Sequence, residues 1–373
     1  MSDTRAAAHN GALGQPILGL VALAVILGVS FSIMAAFRVE VFNSWVAFLA
    51  MTIIPTQIVC GLVWHCEHPA GLAKLPQPLK GAAYLALSTA VGAVVAYASF
   101  RIVGGGIAPP TPPLVMYMIL SIVVTFWFVV VWGTWPVSAL PFGPVSSGLL
   151  GIAICYLIAY GLFELLFDFA FLKAAPFYSH AIDPHGVFNA WQPLVFGVTS
   201  VACITFAAMF EFWPLPLLGL KPGGPLWGLA ASVYVLALAA IAFYGFVVVA
   251  GLDIVQYMVA VPVPFIFGFF IIMSLLHKFP FASVAQPRAG LLLSIAAALA
   301  GYAMFILYRA AAPYVVVQVL ASGPPAYDLE LWLASAMLAV TFPLIVVFAD
   351  FLGFWPLRGG PSHDVPAAGD PVS

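Results

Sequence analysis

The sequence predicts an all-α protein, a polytopic transmembrane helix bundle of about ten helices built from parallel internal repeats, with both termini in the cytoplasm. The first observation is composition: 64% of the 373 residues are apolar and 6% are charged, whereas soluble domains carry about 25% charged residues. The second is that apolar runs long enough to cross a hydrocarbon core of about 30 Å recur along the whole chain. The third is a proline-centred motif that recurs between these runs.

A single transmembrane domain is predicted over 16–356, flanked by polar, Pro- and Gly-rich tails, 1–15 and 357–373, that we expect to be disordered. The first apolar run, 16–37, has no small-residue cleavage pattern behind it and is long enough to span, so we interpret it as a retained helix rather than a signal peptide. Short alternating segments, which a β-barrel would need, do not occur. The ten predicted spans are 16–37, 43–64, 81–103, 114–135, 148–172, 192–213, 227–250, 255–276, 289–310 and 331–355.

Lys and Arg are unevenly divided between the two sides that these spans define. The side that holds both termini carries more of them, and cytoplasmic loops normally carry the excess of positive charge. We therefore expect both termini in the cytoplasm and the chain in the inner (plasma) membrane of a bacterium. The residues on the terminal side are Arg5, Lys74, Lys80, Lys221, Lys278, Arg288 and Arg358, and those on the other side are Arg38, Arg101, Lys173 and Arg309.

A proline closes every second predicted span, and a second Pro followed by Gly opens the next one. Pro lacks an amide N–H and disfavours helix at the residue before it, so it ends a span, whereas in the first turn of a helix no donor is needed. The motif stays on one side of the membrane, which predicts parallel repeats of two spans within a larger unit of four, rather than inverted repeats. We interpret it as architecture, the alternative being a cytoplasmic binding surface. The closing prolines are Pro69, Pro136, Pro214, Pro280 and Pro356.

Carboxylates inside or at the ends of the spans are candidates for binding a substrate or an ion, because charge in a bilayer is costly and is kept for function. Glu164 is the deepest, and Asp168 follows at i+4 on the same helix face. Two such carboxylates can share a proton or hold a cation. The alternative is that Asp168 lies at headgroup level and Glu164 bonds a neighbouring helix. Glu211, Asp253 and Asp350 lie near helix ends and complete the candidate set.

Two histidine clusters are candidate metal ligands. The first, in the outer loop, is the H-x-x-D-x-H pattern of His180, Asp183 and His185, which offers donor types that suit copper, zinc or iron. The second is His65 and His68, at i and i+3 near the end of the second span. The alternatives are a solvated loop with Asp183 as a helix cap, and a pair of histidines that meets water at the membrane surface.

These residues favour a permease for a small solute or ion, with the intramembrane carboxylates in coupling or binding. A membrane redox subunit that holds haem, copper or quinone through the histidines is one alternative, and a non-catalytic scaffold subunit of a larger complex is another. No cofactor is required by the sequence, and enzymatic activity is not favoured because no phosphate loop, dinucleotide fingerprint, nucleophile elbow or zincin helix occurs. The expected partners are the lipid bilayer, the solute, and either other membrane subunits or further copies of the chain. Nucleic acid is excluded by the lack of a basic stripe.

Overall fold

The computed structural model describes residues 13–175 and 178–358, and within them ten helices are long and apolar enough to cross a membrane. This confirms the prediction of a multi-pass helix bundle. The predicted tails, 1–15 and 357–373, fall almost wholly outside the described residues. The helices are α1 (Ile17–Ala35), α2 (Val39–Val63), α3 (Leu79–Ile102), α4 (Pro112–Val131), α5 (Pro144–Leu166), α6 (Trp191–Met209), α7 (Pro225–Val249), α8 (Ile254–Leu275), α9 (Arg288–Val315) and α10 (Asp328–Phe351).

Two helix ends differ from the predicted ones. Helix α5 ends at Leu166 rather than at residue 172, because Phe167 turns to an extended conformation and opens strand β1 (Phe167–Asp168). This strand pairs in parallel with β2 (Phe188–Asn189), so the outer loop closes against the end of α5. Helix α9 continues to Val315 rather than ending at residue 310, since the alanines at 310–312 are the best helix formers.

The ten helices form two layers. The helices differ in the share of residues that is buried within their most apolar stretch. This share is between 61% and 67% in α2, α4, α6, α8 and α10, and between 11% and 33% in the other five helices. We call the first set the ring helices, because each contacts the next and α10 contacts α2. The second set, the peripheral helices, presents large exposed side chains such as Leu157, Val233 and Leu299 on its outer side. The ring helices are therefore shielded from lipid by a discontinuous outer layer.

The two faces of the bundle can be told apart by their turns. The terminal face is the one on which the peripheral helices begin, and it holds both ends of the described chain: Gln15 hydrogen-bonds His277, whose imidazole packs against Phe354. The opposite face carries the long loops 167–190 and 316–327.

On the terminal face, three Gln-Pro pairs tie the start of a peripheral helix to the end of a ring helix. In each pair the Gln amide donates to a carbonyl oxygen at the end of the ring helix, and its own oxygen accepts from the backbone N–H of a Gly four residues later. Both backbone groups lie at helix ends, where the helix offers them no partner. The donations are Gln15 to Leu275 (2.8 Å), Gln77 to Phe351 (2.8 Å) and Gln286 to Met209 (2.9 Å), and the glycines are Gly19, Gly81 and Gly290.

Helices α8 and α9 make the closest contact in the bundle's backbone. A Cβ added at Gly268 would overlap the carbonyl oxygen of Ala297, and one added at Gly301 would overlap that of Pro264. Small residues allow helix backbones to approach in membranes, where tight packing drives association. This pair therefore fixes α9 against the helix ring.

Candidate functional site: a cavity inside the helix ring

A cavity of about 1150 Å³ lies inside the helix ring, and all five ring helices line it. Its walls are mainly apolar, with one representative side chain per helix in Met51, Met116, Val198, Met258 and Leu338. These residues come from the halves of the helices that lie nearer the opposite face. The cavity therefore occupies one half of the bundle rather than its full depth.

The mouth of the cavity lies on the opposite face. It is lined by exposed residues, among them Glu40 in the first turn of α2 and Gln318 and Val319 in the loop 316–327. Glu40 is paired with Arg38 at 3.5 Å, and both side chains are well exposed; a pair so placed contributes little to stability. Asp328 adds a second carboxylate at this level. Among the described residues, the lining contains no Lys, Arg or His. Because Arg38 neutralises Glu40, the remaining negative charge of the mouth is that of Asp328, which favours cationic or neutral solutes over anions.

Three phenylalanines close the cavity toward the terminal face. The aromatic rings of Phe126 and Phe270 have centroids 6.2 Å apart, and those of Phe270 and Phe342 are 4.3 Å apart. All three are buried. On the terminal side of this floor lies Gln57, which follows the cavity-lining Ile54 by three residues on the same helix face. Its amide oxygen is buried and has no hydrogen-bond partner.

Two polar atoms in the cavity lining also lack partners. They are the amide oxygen of Asn43 and the hydroxyl of Thr111, and both are buried. Leaving a buried polar group unpaired costs about 1–3 kcal/mol. Both atoms are shielded from the cavity by neighbouring atoms, so a small shift of the side chains around them would let water or a polar group of a solute relieve this cost. The arrangement suits an amphipathic solute, with an apolar body in the cavity and a hydrogen-bonding group near these atoms.

The carboxylates Glu164 and Asp168 are not brought together on one helix face, so that expectation is wrong. Because α5 ends at Leu166, Asp168 lies in β1, where its side chain accepts a hydrogen bond from the N–H of Ala170 at 3.0 Å. Glu164 lies on the exposed surface of α5, a peripheral helix. Neither residue lines the cavity.

Asp253 is held one hydrogen bond away from the cavity. One carboxylate oxygen caps α8 by accepting from the N–H groups of Val255 and Gln256, each at 3.0 Å. The other oxygen accepts from the hydroxyl of Tyr327 at 2.8 Å, and Tyr327 lines the mouth. The Asp253 cap on α8 and its hydrogen bond to Tyr327 together fix the position of the loop 316–327 over the cavity.

Glu211 and Asp350 lie near the terminal face, away from the cavity. Glu211 is exposed in the turn after α6, where its φ of 53° is left-handed. The corresponding turns before Pro280 and Pro356 also have two left-handed residues in succession, so Glu211 occupies a backbone position that recurs. Asp350 lies in the last turn of α10 and faces α2, where a Cβ at Gly61 would be 3.0 Å from its Oδ2.

The outer loop brings its histidines together. His185 Nε2 lies 2.6 Å from His180 Nδ1, and on the other side of the same imidazole His185 Nδ1 lies 3.4 Å from Asp183 Oδ2. Ligand atoms of Asp168, Asp183 and His185 lie within 4.8 Å of one another. Asp168 enters this group from β1, which the pattern in the sequence did not indicate.

Asp183 is the buried centre of this cluster. It accepts hydrogen bonds from the backbone N–H groups of Phe169 (3.1 Å) and His185 (3.0 Å) and from the hydroxyl of Tyr178 (2.8 Å). Burial acts to raise its pKa, but these bonds and the nearby His185 outweigh burial and lower the pKa below the ordinary value. Asp183 therefore stays ionised and orients the imidazole of His185.

His65 and His68 are not part of such a group within the described residues. His65 is exposed in a left-handed turn, and the carbonyl of the half-buried His68 accepts from the hydroxyl of Tyr84 at 2.9 Å. Their candidacy as ligands stays a prediction. Comparison of the chain with protein-family models, curated proteins and solved structures finds no match.

Proposed function

We propose that this protein is a permease that binds a small amphipathic solute in the cavity of the helix ring. The observation that carries the proposal is a cavity enclosed by five ring helices, open at the opposite face and closed by an aromatic floor toward the terminal face. A binding site that is open to one face and closed toward the other is what a carrier needs in one of its two states of access.

The residues that line the cavity restrict the chemical class of solute that it can bind. The walls are apolar, the mouth carries carboxylates, and the unpaired polar atoms belong to Asn43 and Thr111. A neutral or cationic molecule with an apolar body and a hydrogen-bonding group satisfies all three. An inorganic anion would find no cation among the described lining residues.

Passage to the terminal face would require movement of Phe270, which contacts both other members of the floor. Gln57 would then be the next polar group on the path. Of the carboxylates proposed for coupling, Asp253 is the best connected, because Tyr327 links it to the mouth. Glu164, Asp168, Glu211 and Asp350 stand as candidates away from the cavity.

We also propose that the hairpins are parallel internal repeats and that the terminal face is cytoplasmic, in the inner membrane of a bacterium. What supports the repeats is that peripheral helices begin with a Gly packed on the end of a ring helix in the same cyclic order: Gly19 on α8, Gly81 on α10, Gly148 on α2, Gly228 on α4 and Gly290 on α6. What supports the orientation is the excess of Lys and Arg on that side.

Uptake of ethidium, an amphipathic cation, into proteoliposomes tests the permease. Wild-type protein is expected to accelerate uptake from the opposite face, and Val198→Trp, which fills the cavity, is expected to abolish the effect. Val233→Trp is the matched control, because Val233 is exposed on the lipid side of α7. Equal uptake with both variants, or none with wild type, contradicts the proposal.

A second candidate is a metal-dependent role of the outer loop, favoured by the ligand atoms of Asp168, Asp183 and His185, which lie within 4.8 Å of one another. One imidazole with two carboxylates suits Zn²⁺, and the hydrogen bond with the neighbouring His180 fixes the orientation of the His185 ring. Titration of the purified protein with Zn²⁺ in a calorimeter tests this. We expect binding to be lost in His185→Ala and kept in His65→Ala, and equal binding by both variants contradicts it.

A further inference from the structure

A second apolar recess lies on the lipid side of the ring helices α4 and α6. Its volume is about 880 Å³, and it is bounded by the peripheral helices α5 and α7. It runs from Trp135, near the terminal face, to Leu166 at the far end of α5. We call it the lateral groove. The peripheral helices leave it uncovered, so it opens on the lipid side of the bundle.

The wall between the lateral groove and the cavity is one side chain thick at Val123 of α4. Val123 lines both spaces. Its neighbours are divided: Ile119 and Ile122 line the cavity, while Leu120 and Val124 line the groove.

The partner of Val123 across the wall is Gly197 of α6, which lines the groove and has no side chain to close it. A Cβ at Gly197 would lie 3.5 Å from Val123 Cγ1, in ordinary contact. Toward the terminal face, the indole N–H of Trp127 donates to the hydroxyl of Ser200 at 2.9 Å and ties α4 to α6. At Val123 and Gly197 the wall is therefore held only by van der Waals contact, and the nearest hydrogen bond between the two helices is that of Trp127 with Ser200.

We propose that the Val123–Gly197 contact is a lateral entrance, through which a lipophilic solute dissolved in the bilayer passes into the cavity. This inference rests on the proposed function and deepens it, because it makes the substrate class a molecule that partitions into membranes. Both sides of the wall are apolar, so an apolar solute crosses it without losing hydration. Rotation of one valine side chain and a small separation of α4 from α6 open the path.

A reversible disulfide across the wall tests the entrance. The Cβ of Val123 lies 4.0 Å from a Cβ built at Gly197, within the range of about 3.5–4.5 Å that disulfides span. The double variant Val123→Cys, Gly197→Cys is prepared in a background where the native cysteines are replaced by alanine; these are Cys60, Cys66, Cys155 and Cys203. Failure of the disulfide to form in folded protein, seen by mass spectrometry, refutes the contact.

The probe is a lipophilic iodophenyl diazirine dissolved in the bilayer, which labels side chains on illumination. The readout is labelling of Met258 and Ile266, which line the cavity on α8, compared with Phe196 in the lateral groove. We expect the oxidised double variant to lose labelling at α8 and keep it at Phe196, and reduction to restore it. The single variant Val123→Cys, treated with the same oxidant, is the control.

Measuring ethidium uptake on the same samples distinguishes failure of the lateral entrance from failure of the proposed permease function. Ethidium reaches the cavity from water through the mouth, so its uptake is expected to survive oxidation. Unchanged diazirine labelling of α8 in the oxidised protein overturns the lateral entrance, whatever ethidium does. Absence of ethidium uptake with loss of labelling on oxidation leaves the entrance standing and overturns the permease.

Discussion

Replacing Gly301 by alanine is expected to weaken the packing of α9 on α8 and to lower the free energy of unfolding by about 3 kcal/mol, the upper end of the usual cost of overpacking. The methyl group would overlap the carbonyl oxygen of Pro264 and approach its carbonyl carbon to 2.6 Å. These are backbone atoms of a helix, which cannot rotate away as the end of a side chain can. The two helices must therefore separate, and the reciprocal contact of Gly268 with Ala297 loosens with them.

The measurement is unfolding of the purified protein in mixed micelles by sodium dodecyl sulfate, followed by tryptophan fluorescence. Gly161→Ala is the matched control, since Gly161 lies in the peripheral helix α5 and a Cβ there would meet nothing within 4 Å. That variant is expected to be unchanged or more stable by up to about 1 kcal/mol, because Gly is a poor helix former. If Gly301→Ala is as stable as Gly161→Ala, the close contact of α8 with α9 is refuted.

Three further predictions concern the Gln clamps (the hydrogen bonds by which Gln15, Gln77 and Gln286 hold the ends of ring helices on the terminal face), the cap on α8 and the aromatic floor of the cavity. Gln77→Leu removes the donor to the carbonyl of Phe351 and is expected to cost about 1–3 kcal/mol in the same detergent titration, since a backbone group is left unpaired; an unchanged midpoint would count against the clamp. Asp253→Ala is expected to cost about 1 kcal/mol through loss of the cap on α8 and to increase proteolysis of the loop that holds Tyr327, with Asp253→Asn retaining most of the stability. Phe270→Ala is expected to raise passive ethidium leak through proteoliposomes by opening the floor, and a leak equal to that of wild type would show that the floor lies elsewhere.

The spans were predictable because their signal is local. An apolar run must be about 20 residues long to cross the membrane, so run length fixes the number of helices and their approximate ends. The end of α5 was not, because the pairing of Phe167 with Phe188 depends on a segment about twenty residues later in the chain. The interpretation of Glu164 and Asp168 as one helix face failed for this reason.

That α2 belongs to the ring could have been inferred from its neutral polar residues. Helix α2 carries Asn43, Thr52 and Gln57 within its span, whereas the peripheral helix α7 is almost wholly apolar. A polar side chain that faces lipid is costly, so such residues indicate a helix that faces protein or a cavity. Carboxylates do not carry this information, because Glu164 and Glu211 lie on the exposed exterior and at an end of the bundle.

The outer loop shows the same limit. The pattern of His180, Asp183 and His185 indicated suitable donor types, and the structure places His180 and Asp183 on either side of His185. The contribution of Asp168 could not be read from spacing, because it depends on the register of β1 against β2. Local pattern gave the donors, and tertiary pairing decided which of them meet.

The clamps bear on the route that a solute takes. On the terminal face, ring helices end in hydrogen bonds to Gln15, Gln77 and Gln286, and opening that face would break bonds worth about 0.5–1.5 kcal/mol each. A path from the lateral groove to the cavity and out through the mouth breaks none of them, because rotation of Val123 and the small separation of α4 from α6 take place away from Met209, where Gln286 holds the end of α6. The two routes respond differently to Gln77→Leu: passage across the terminal face should become faster, and diazirine labelling of the cavity from the bilayer should not change. A variant that accelerates both, or neither, would show that the clamps do not separate the two routes.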